Sequence, residues 1–267
     1  MSDPDLARAV ERHTAEWFEI QGTVPGVELH RDPDAVWIVQ PGSAWGNAAV
    51  ELRFKKESAG ARLDQIIRRY RMNGRGAGFW ISPFATPDDV GERLRQQGFR
   101  CRKHFPGMHC DVTAVKSHEQ TPASLEFAVI KDHSIFKTHP HPYYGKISTP
   151  IRRFQMARVA HLTNLRPQRV WELMAALEGG PVGSCLLFLG HRVAGLHDVG
   201  VIESERRRGI GTALVAYGCR FAHDRGYRGA VLIAAGMGES VYRRVGFREV
   251  CRMSYWYSSL VKRRLRR

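Results

Sequence analysis

Arg206-Arg207-Arg208-Gly209-Ile210-Gly211 stands between an apolar run, Val193 to Ile202, that reads as a strand and a second run, Thr212 to Arg225, that reads as a helix. The second run places Ala213, Leu214, Tyr217, Phe221 and Ala222 on one face and ends at Gly226. Two glycines at such a junction let backbone N–H groups come close to a ligand, and a helix start leaves its first four N–H groups without intrahelical partners. The combination describes an anion cradle. Arginines at a helix N-terminus oppose the macrodipole at about 0.3–1 kcal/mol each, and a bound polyanion reverses that sign. A dinucleotide fingerprint would need glycine at position 214, where Leu214 stands, and no Gly-Lys-Ser/Thr follows for a P-loop.

Working outward, Val170 to Leu177, Pro181 to Leu189 and Val193 to Ile202 form three strand candidates joined at Gly179-Gly180 and Gly190-His191, an antiparallel meander. Downstream, Ala230 to Ala235 returns as an apolar strand parallel to the one before the helix. Glu239 to Val245 reads as a short helix stopped by Gly246, and Phe247 to Tyr257 as a last strand. The order strand, R-x-x-G-x-G, helix, carried by Arg206, Gly209 and Gly211, resembles the acetyl-CoA loop of the GNAT acetyltransferase superfamily. Tyr242-Arg243-Arg244-Val245-Gly246-Phe247 resembles the same family's Y-x-x-x-G-F motif, and together the resemblance covers about residues 124–257.

The resemblance implies an α/β (α+β) fold with a mixed, mostly antiparallel sheet flanked by helices. It implies acetyl-CoA as co-substrate and direct transfer of an acetyl group to an amine, with no metal. The pyrophosphate would lie on Arg206, Arg207, Arg208, Gly209, Ile210, Gly211 and Thr212, and Val199 and Val201 would offer backbone groups to the pantetheine and thioester. Tyr242 matches the family tyrosine that protonates the departing thiolate; a phenol with reference pKa near 10 serves as donor rather than base. For the base, relatives often carry a glutamate on this strand, and His197 takes that location here. Period-two alternation puts His197 on the face of Val199 and Val201 and Asp198 on the opposite face, with Asp198 and then Glu203 as fallbacks. A histidine merely satisfied at a cleft edge is the competing reading of His197. Many relatives carry asparagine where this chain has Ala235, so a contact made by that side chain is missing.

The first half answers the second. A first helix is expected over Leu6 to Ile20, strands over Val27–His30, Val36–Val39 and Ala48–Phe54, and a helix over Arg62 to Met72. After the break at Asn73-Gly74-Arg75-Gly76, a strand over Gly78–Ser82 follows. Thr86-Pro87-Asp88-Asp89 reads as N-cap, N1 proline and acidic first turn of a helix ending at Gly98. Phe99–His104 and Met108–Val115 close the half as two strands. Gly98-Phe99-Arg100 answers Gly246-Phe247-Arg248, which points to two GNAT-like units in tandem. The first lacks the cradle, since its loop reads Glu57-Ser58-Ala59-Gly60-Ala61-Arg62, and has no tyrosine before its Gly-Phe. It is expected to be degenerate. Lys116 to Ala123 reads as linker, giving a degenerate domain at 1–119 and a catalytic domain at 120–267.

Composition bounds the partners. The 267 residues are 43% hydrophobic and 25% charged, as a soluble globular chain would be. The formal charge of +15 and pI near 10.1 favour polyanions, which include coenzyme A, nucleic acid and anionic membrane surfaces. Two rivals to the enzyme therefore stand: a CoA-binding inactive regulator and a basic RNA-associated protein. Nucleic acid is not favoured, because aromatic residues interleave poorly with the basic runs. The five cysteines lack a C-x-x-C, so neither a disulfide framework nor a zinc site is signalled. His139-Pro140-His141-Pro142 reads as a rigid turn rather than a metal site. No signal-peptide pattern or membrane-length apolar stretch occurs, so the cytoplasm is the expected location, without membrane partners. The amine acceptor and the oligomeric state stay open at this point.

Overall fold

A computed structural model describes residues 2–40, 47–73, 76–115, 121–145 and 149–259. The first half of the chain forms α1 (Asp3–Gln21), β1 (Glu28–Asp32), β2 (Ala35–Val39), β3 (Asn47–Val50), α2 (Ala59–Asn73), β4 (Ala77–Ile81), α3 (Val90–Gln96) and β5 (Arg100–Asp111). The second half opens with an added strand, β6 (Glu126–Val129), and then runs through the same series. It comprises α4 (Thr149–Thr163), β7 (Val170–Leu177), β8 (Gly180–Leu189), β9 (Ala194–Val201), α5 (Ile210–His223), β10 (Gly229–Ile233), α6 (Glu239–Val245) and β11 (Arg248–Ser258). This is the mixed, mostly antiparallel α/β architecture that the sequence implies.

The repetition extends to backbone detail. β3 is followed by Glu51 with φ 55°, and β9 is interrupted at Asp198 with φ 51°. Both are acidic residues in a left-handed conformation that few non-glycine residues adopt. From Glu51 the next helix begins eight residues on, at Ala59, whereas from Asp198 it begins twelve on, at Ile210 (59 − 51 against 210 − 198). The first copy is thus shorter by four residues between strand and helix. The helices α3 and α6 end alike, at Gly98 (φ 85°) and Gly246 (φ 114°), with Phe99 N–H donating to the Leu94 carbonyl and Phe247 N–H to the Tyr242 carbonyl, each at 3.0 Å. Leu94 therefore occupies in the first copy the place that Tyr242 holds in the second.

The residues group into two compact units that do not follow a single cut in sequence: one comprises 1–13 and 106–250, the other 14–105 and 251–267. In the first unit the sheet order is β5-β10-β9-β8-β7-β6, all antiparallel except β9 with β10. Its core packs Leu214, Val215 and Cys219 of α5 with Leu173, Leu187, Leu196 and Leu232 of the strands. In the other unit the order is β1-β2-β3-β4-β11, with β3 and β4 parallel. There Leu63, Ile66 and Ile67 of α2 pack with Phe79, Leu94, Phe99 and Trp256. Each unit is closed by strand residues from the other half of the chain, since Gly107–Asp111 pairs with β10 and Ser254–Ser258 pairs with β4.

Several local expectations change. The two strands expected at 99–115 are one strand of twelve residues running through Pro106-Gly107, where proline costs no ladder bond if its missing N–H faces away from a partner. Helix α3 starts after Asp89, three residues later than the Thr86 cap would have it. Helix α4 has no counterpart in the sequence reading, because its buried side includes the polar Gln155, Arg158 and Thr163, which mask an apolar period. In the second unit Trp80, Phe105, Tyr255 and Tyr257 gather with Arg102 and Lys103 over rings of Tyr257 and Phe105, an interleaving that linear spacing hides. The linker residues 116–120, the break at 74–75 and the basic tail 262–267 lie outside the described residues. No helix among the described residues is long and apolar enough to cross a membrane.

Candidate active site

The loop leaving β9 passes through a short 3-10 turn at Glu203–Glu205 and enters α5 at Gly209, which has φ 77° and serves as N-cap. Only glycine adopts that backbone without strain, so the residue type is dictated by the turn into the helix. Ile210 and Thr212 are buried, leaving their backbone N–H groups as the parts that can meet a ligand at the helix start. A Cβ built at Gly211 would touch Val201 Cγ2 at 3.6 Å and Val241 Cγ1 at 3.8 Å, ordinary contacts. The protein itself thus leaves room at Gly211 that it does not fill.

All three loop arginines are exposed. Arg206 Nε donates to the Val201 carbonyl at 3.1 Å, and Arg208 pairs with Glu205. Arg207, at φ 63°, has no partner among the described residues. The three therefore differ: one pins the loop to the end of β9, one is held by a carboxylate, and one is uncommitted.

The strands on either side open toward this loop. β9 and β10 register at two pairs only, Ala194 with Ala230 and Val231 with Gly195. Beyond Gly195 they separate, and Ala234 N–H turns instead to the Pro106 carbonyl at 2.8 Å. Val199 and Val201 thus lie on a stretch without backbone bonds to β10 among the described residues. In the other unit the equivalent residues are sealed, because Phe54 N–H donates to the Thr86 carbonyl and Thr86 N–H to the Leu52 carbonyl, both at 3.0 Å. The parallel pair that opens in one unit is zipped in its counterpart.

A bulge separates His197 from the valines. Between Leu186 and Ser184, β8 advances two residues while β9 advances three, from His197 to Gly200. This extra residue, with Asp198 left-handed, breaks the alternation on which the sequence reading relied. His197 faces His13, while Val199 and Val201 pack on the α5 side with Leu196. The expectation that His197 shares a face with Val199 and Val201 is therefore corrected: a bulge changes phase, and no residue type announces it.

Asp198 is held by a clamp. Arg158 on α4 donates through Nη2 to Asp198 Oδ2 at 2.8 Å and to the Tyr144 hydroxyl at 2.7 Å, and Tyr144 donates to the same carboxylate oxygen. Burial works against the charge on Arg158, but Tyr144 and Asp198 outweigh it and hold the guanidinium protonated. A carboxylate so engaged is a structural anchor for the bulge and a poor candidate for the base. Glu203, the other fallback, sits exposed in the 3-10 turn.

Tyr144 is placed in turn by His141. Nδ1 of His141 accepts from the backbone N–H groups of Tyr143 and Tyr144, both at 3.1 Å, which leaves Nε2–H to donate to Glu172 Oε1 at 2.7 Å. His133 Nε2 lies 2.9 Å from the other oxygen of Glu172. Burial raises the carboxyl pKa of Glu172, yet bonding by the two histidines prevails and keeps it below the usual range. The His-Pro-His-Pro segment is accordingly a rigid turn, with His141 as its anchor. No cluster suited to a metal ion occurs among the described residues.

Tyr242 is buried on α6, with its ring edge-on to Phe247 at 6.1 Å. Its hydroxyl has no hydrogen-bond partner among the described residues. Burial, with the Cys185 thiol and the Asp198 carboxylate nearby, raises its pKa to about 12, so the phenol keeps its proton at any working pH. His197 behaves in the opposite sense: burial and the charge of Arg158 lower its pKa to about 3, so the imidazole is neutral. The reading from sequence missed Tyr143, Tyr144, Arg158, Glu172 and His13. The adjacent His-Pro-Tyr-Tyr letters were the one available signal for the first two.

The model of the acetyltransferase (GNAT) family matches residues 135–247. No curated protein matches the chain. Among solved structures, a GCN5-related N-acetyltransferase from Kribbella flavida is similar at 18% identity and TM-score 0.69, covering 93% of this chain and 95% of that one. One of the same description from Sphaerobacter thermophilus is similar at 19% identity and TM-score 0.58, covering 97% and 94%. A tandem GNAT protein from the clavulanic acid biosynthesis pathway is similar at 12% identity and TM-score 0.60, covering 94% and 96%. Identities this low speak for the fold.

Proposed function

We propose, from the match of residues 135–247 to the model of the GNAT acetyltransferase family, that the chain transfers an acetyl group from acetyl-CoA directly to an amine. Residues 120–267 would form the catalytic domain and 1–119 a degenerate copy. The observation that carries the reading is the pair of parallel strands that part beyond Gly195, opening beside a glycine-capped helix start with three arginines. The unfilled space at Gly211 fits close approach of a pyrophosphate, and the unpartnered hydroxyl of Tyr242 fits a donor waiting for its acceptor.

In this reading, the backbone N–H groups of Gly209 to Thr212 bind the pyrophosphate, with Arg207 as the uncommitted cation and Arg206 and Arg208 shaping the loop. Val199 and Val201 offer main-chain groups to the pantetheine and the thioester. Tyr242 protonates the departing thiolate, a role that its raised pKa suits because the proton is present at neutral pH. His197, neutral at rest, takes the proton from the attacking amine. The expected setting is the cytoplasm, and the basic surface favours an amine acceptor that carries negative charge elsewhere.

Isothermal titration with acetyl-CoA, followed by a thiol-release screen over small amines, peptide amines and aminoacyl-RNA, tests the proposal. Micromolar binding with turnover on at least one amine class is expected. Binding of coenzyme A without turnover on any of them would favour an inactive CoA-binding regulator. Binding of RNA that is steeply salt-dependent and indifferent to coenzyme A would point away from both.

A further inference from the structure

The arrangement around His197 involves a residue far from it in sequence. His13 on α1 and His197 on β9 meet through their Nε2 atoms at 3.2 Å, with ring centroids 5.4 Å apart and planes within 15°. Gly195 makes the meeting possible, because a Cβ there would lie 1.8 Å from His13 Nε2. Phe188 closes another side of the His13 ring at 5.0 Å. His13 is 3% exposed and His197 is half-buried, so His197 forms the outer member of the pair and His13 the inner one.

Two facing imidazole nitrogens at this distance need a single hydrogen between them. A protonated imidazole donating to a neutral one forms a charge-assisted bond, about twice as strong as a neutral bond. A second proton would put like charges in contact and is disfavoured. The pair is thus built to hold one added proton between its rings and to resist a second. The charges facing it are Arg158 of α4, toward His197, and Arg169 ahead of β7, toward His13, and both keep the pair neutral at rest. The neighbouring Asp198 carboxylate is engaged by Arg158 and Tyr144 and does not offset them.

We propose that His13 and His197 act as one proton acceptor in acyl transfer, His197 receiving the amine proton at its other ring nitrogen and passing the Nε2 proton to His13. This rests on the acetyl-transfer reading above. In the step, the amine nitrogen bonds to the acyl carbon and the carbon–sulfur bond breaks. The amine proton enters the imidazole pair, the thiolate takes the proton of Tyr242, and both groups then re-equilibrate with water. A consequence is that the catalytic unit needs a residue from the first thirteen positions, well outside the segment 135–247 that carries the family signature.

The test uses the full chain and two variants, His13→Phe, which keeps a ring without nitrogen, and His13→Asn, which keeps a hydrogen-bonding group that cannot take a proton. Imidazole ¹H–¹⁵N spectra are followed with pH, and kcat and KM are measured with acetyl-CoA and an amine that supports turnover. In the unmodified protein both rings should shift together with one midpoint. In His13→Phe the His197 midpoint should move to lower pH, and kcat should fall by about tenfold or more with the KM for acetyl-CoA little changed. His13→Asn should lose kcat similarly, and it decides the matter if the Phe variant fails to fold. Full kcat in either variant, or two independent midpoints in the unmodified protein, would overturn the pair. If the unmodified protein acetylates no amine, the acetyl-transfer reading fails, while joint or separate titration still decides whether the two rings share a proton.

Discussion

Asp198→Ala is the most informative perturbation of the clamp that holds the β9 bulge. It removes the carboxylate that Arg158, whose side chain is 6% exposed, meets at 2.8 Å, and leaves that buried charge beside the Tyr144 hydroxyl. Removing one partner of a buried ion pair costs about 3–5 kcal/mol, because the remaining charge is left uncompensated. The Asp198 side chain is 16% exposed, so water can enter the vacated space, which argues for the lower end of that range. At about 2–4 °C per kcal/mol for a chain of this size, a loss near 3 kcal/mol lowers Tm by about 6–12 °C. Asp198→Asn separates charge from conformation, since asparagine also tolerates φ near 51° and keeps an oxygen for Tyr144 and Arg158. Its cost should be about 1–2 kcal/mol, the difference between a charged and a neutral acceptor. Urea denaturation followed by circular dichroism measures both, and the double variant Asp198→Ala with Arg158→Met should recover most of the loss. An alanine variant within about 1 kcal/mol of the parent, or a double variant no better than the single one, would refute the view that this pair anchors the bulge.

Four further outcomes follow from the same geometry. Gly211→Ala should fold normally, since its Cβ meets only ordinary contacts, yet weaken acetyl-CoA binding in a titration; unchanged affinity would place the pyrophosphate elsewhere. Gly209→Val should weaken binding further and also cost about 1–2 kcal/mol in denaturation, because φ 77° is strained for a branched residue. Tyr242→Phe should lower kcat by about 10²-fold with acetyl-CoA affinity nearly unchanged. The parent contains a phenol raised to about 12 in the fold, so the stability it contributes is complete below the unfolded pKa near 10 and is lost as pH rises through 12; the Phe variant should lack that loss. His13 and His197 are both lowered, so their contribution is present above about pH 6.5 and is lost as pH falls below it, at about 1.4 kcal/mol per pH unit for each proton bound only by the unfolded chain. His13→Phe should flatten that slope by one proton, which urea midpoints from neutral to mildly acidic pH would register.

Features governed by local rules can be read directly from the order of residues. The meander, the Gly209 turn, the helix after it and the Gly246 stop were legible because hydrophobic period and glycine punctuation act over a few residues. The tandem repeat was legible for the same reason, through Gly98-Phe99-Arg100 and Gly246-Phe247-Arg248 and through the missing cradle near Gly60. Tertiary structure alone decided the rest. The bulge at Asp198 reversed the face of His197, since a strand's phase depends on its partner's register and β8 supplied it. Helix α4 stayed hidden because Arg158 is buried against Asp198 and Tyr144, and a buried charge looks like a solvent-facing one until its partners are known. His13 and His197 lie 184 positions apart, and no spacing rule links them. They meet because Gly195 carries no side chain to fill the space, and that is a fact about packing in three dimensions.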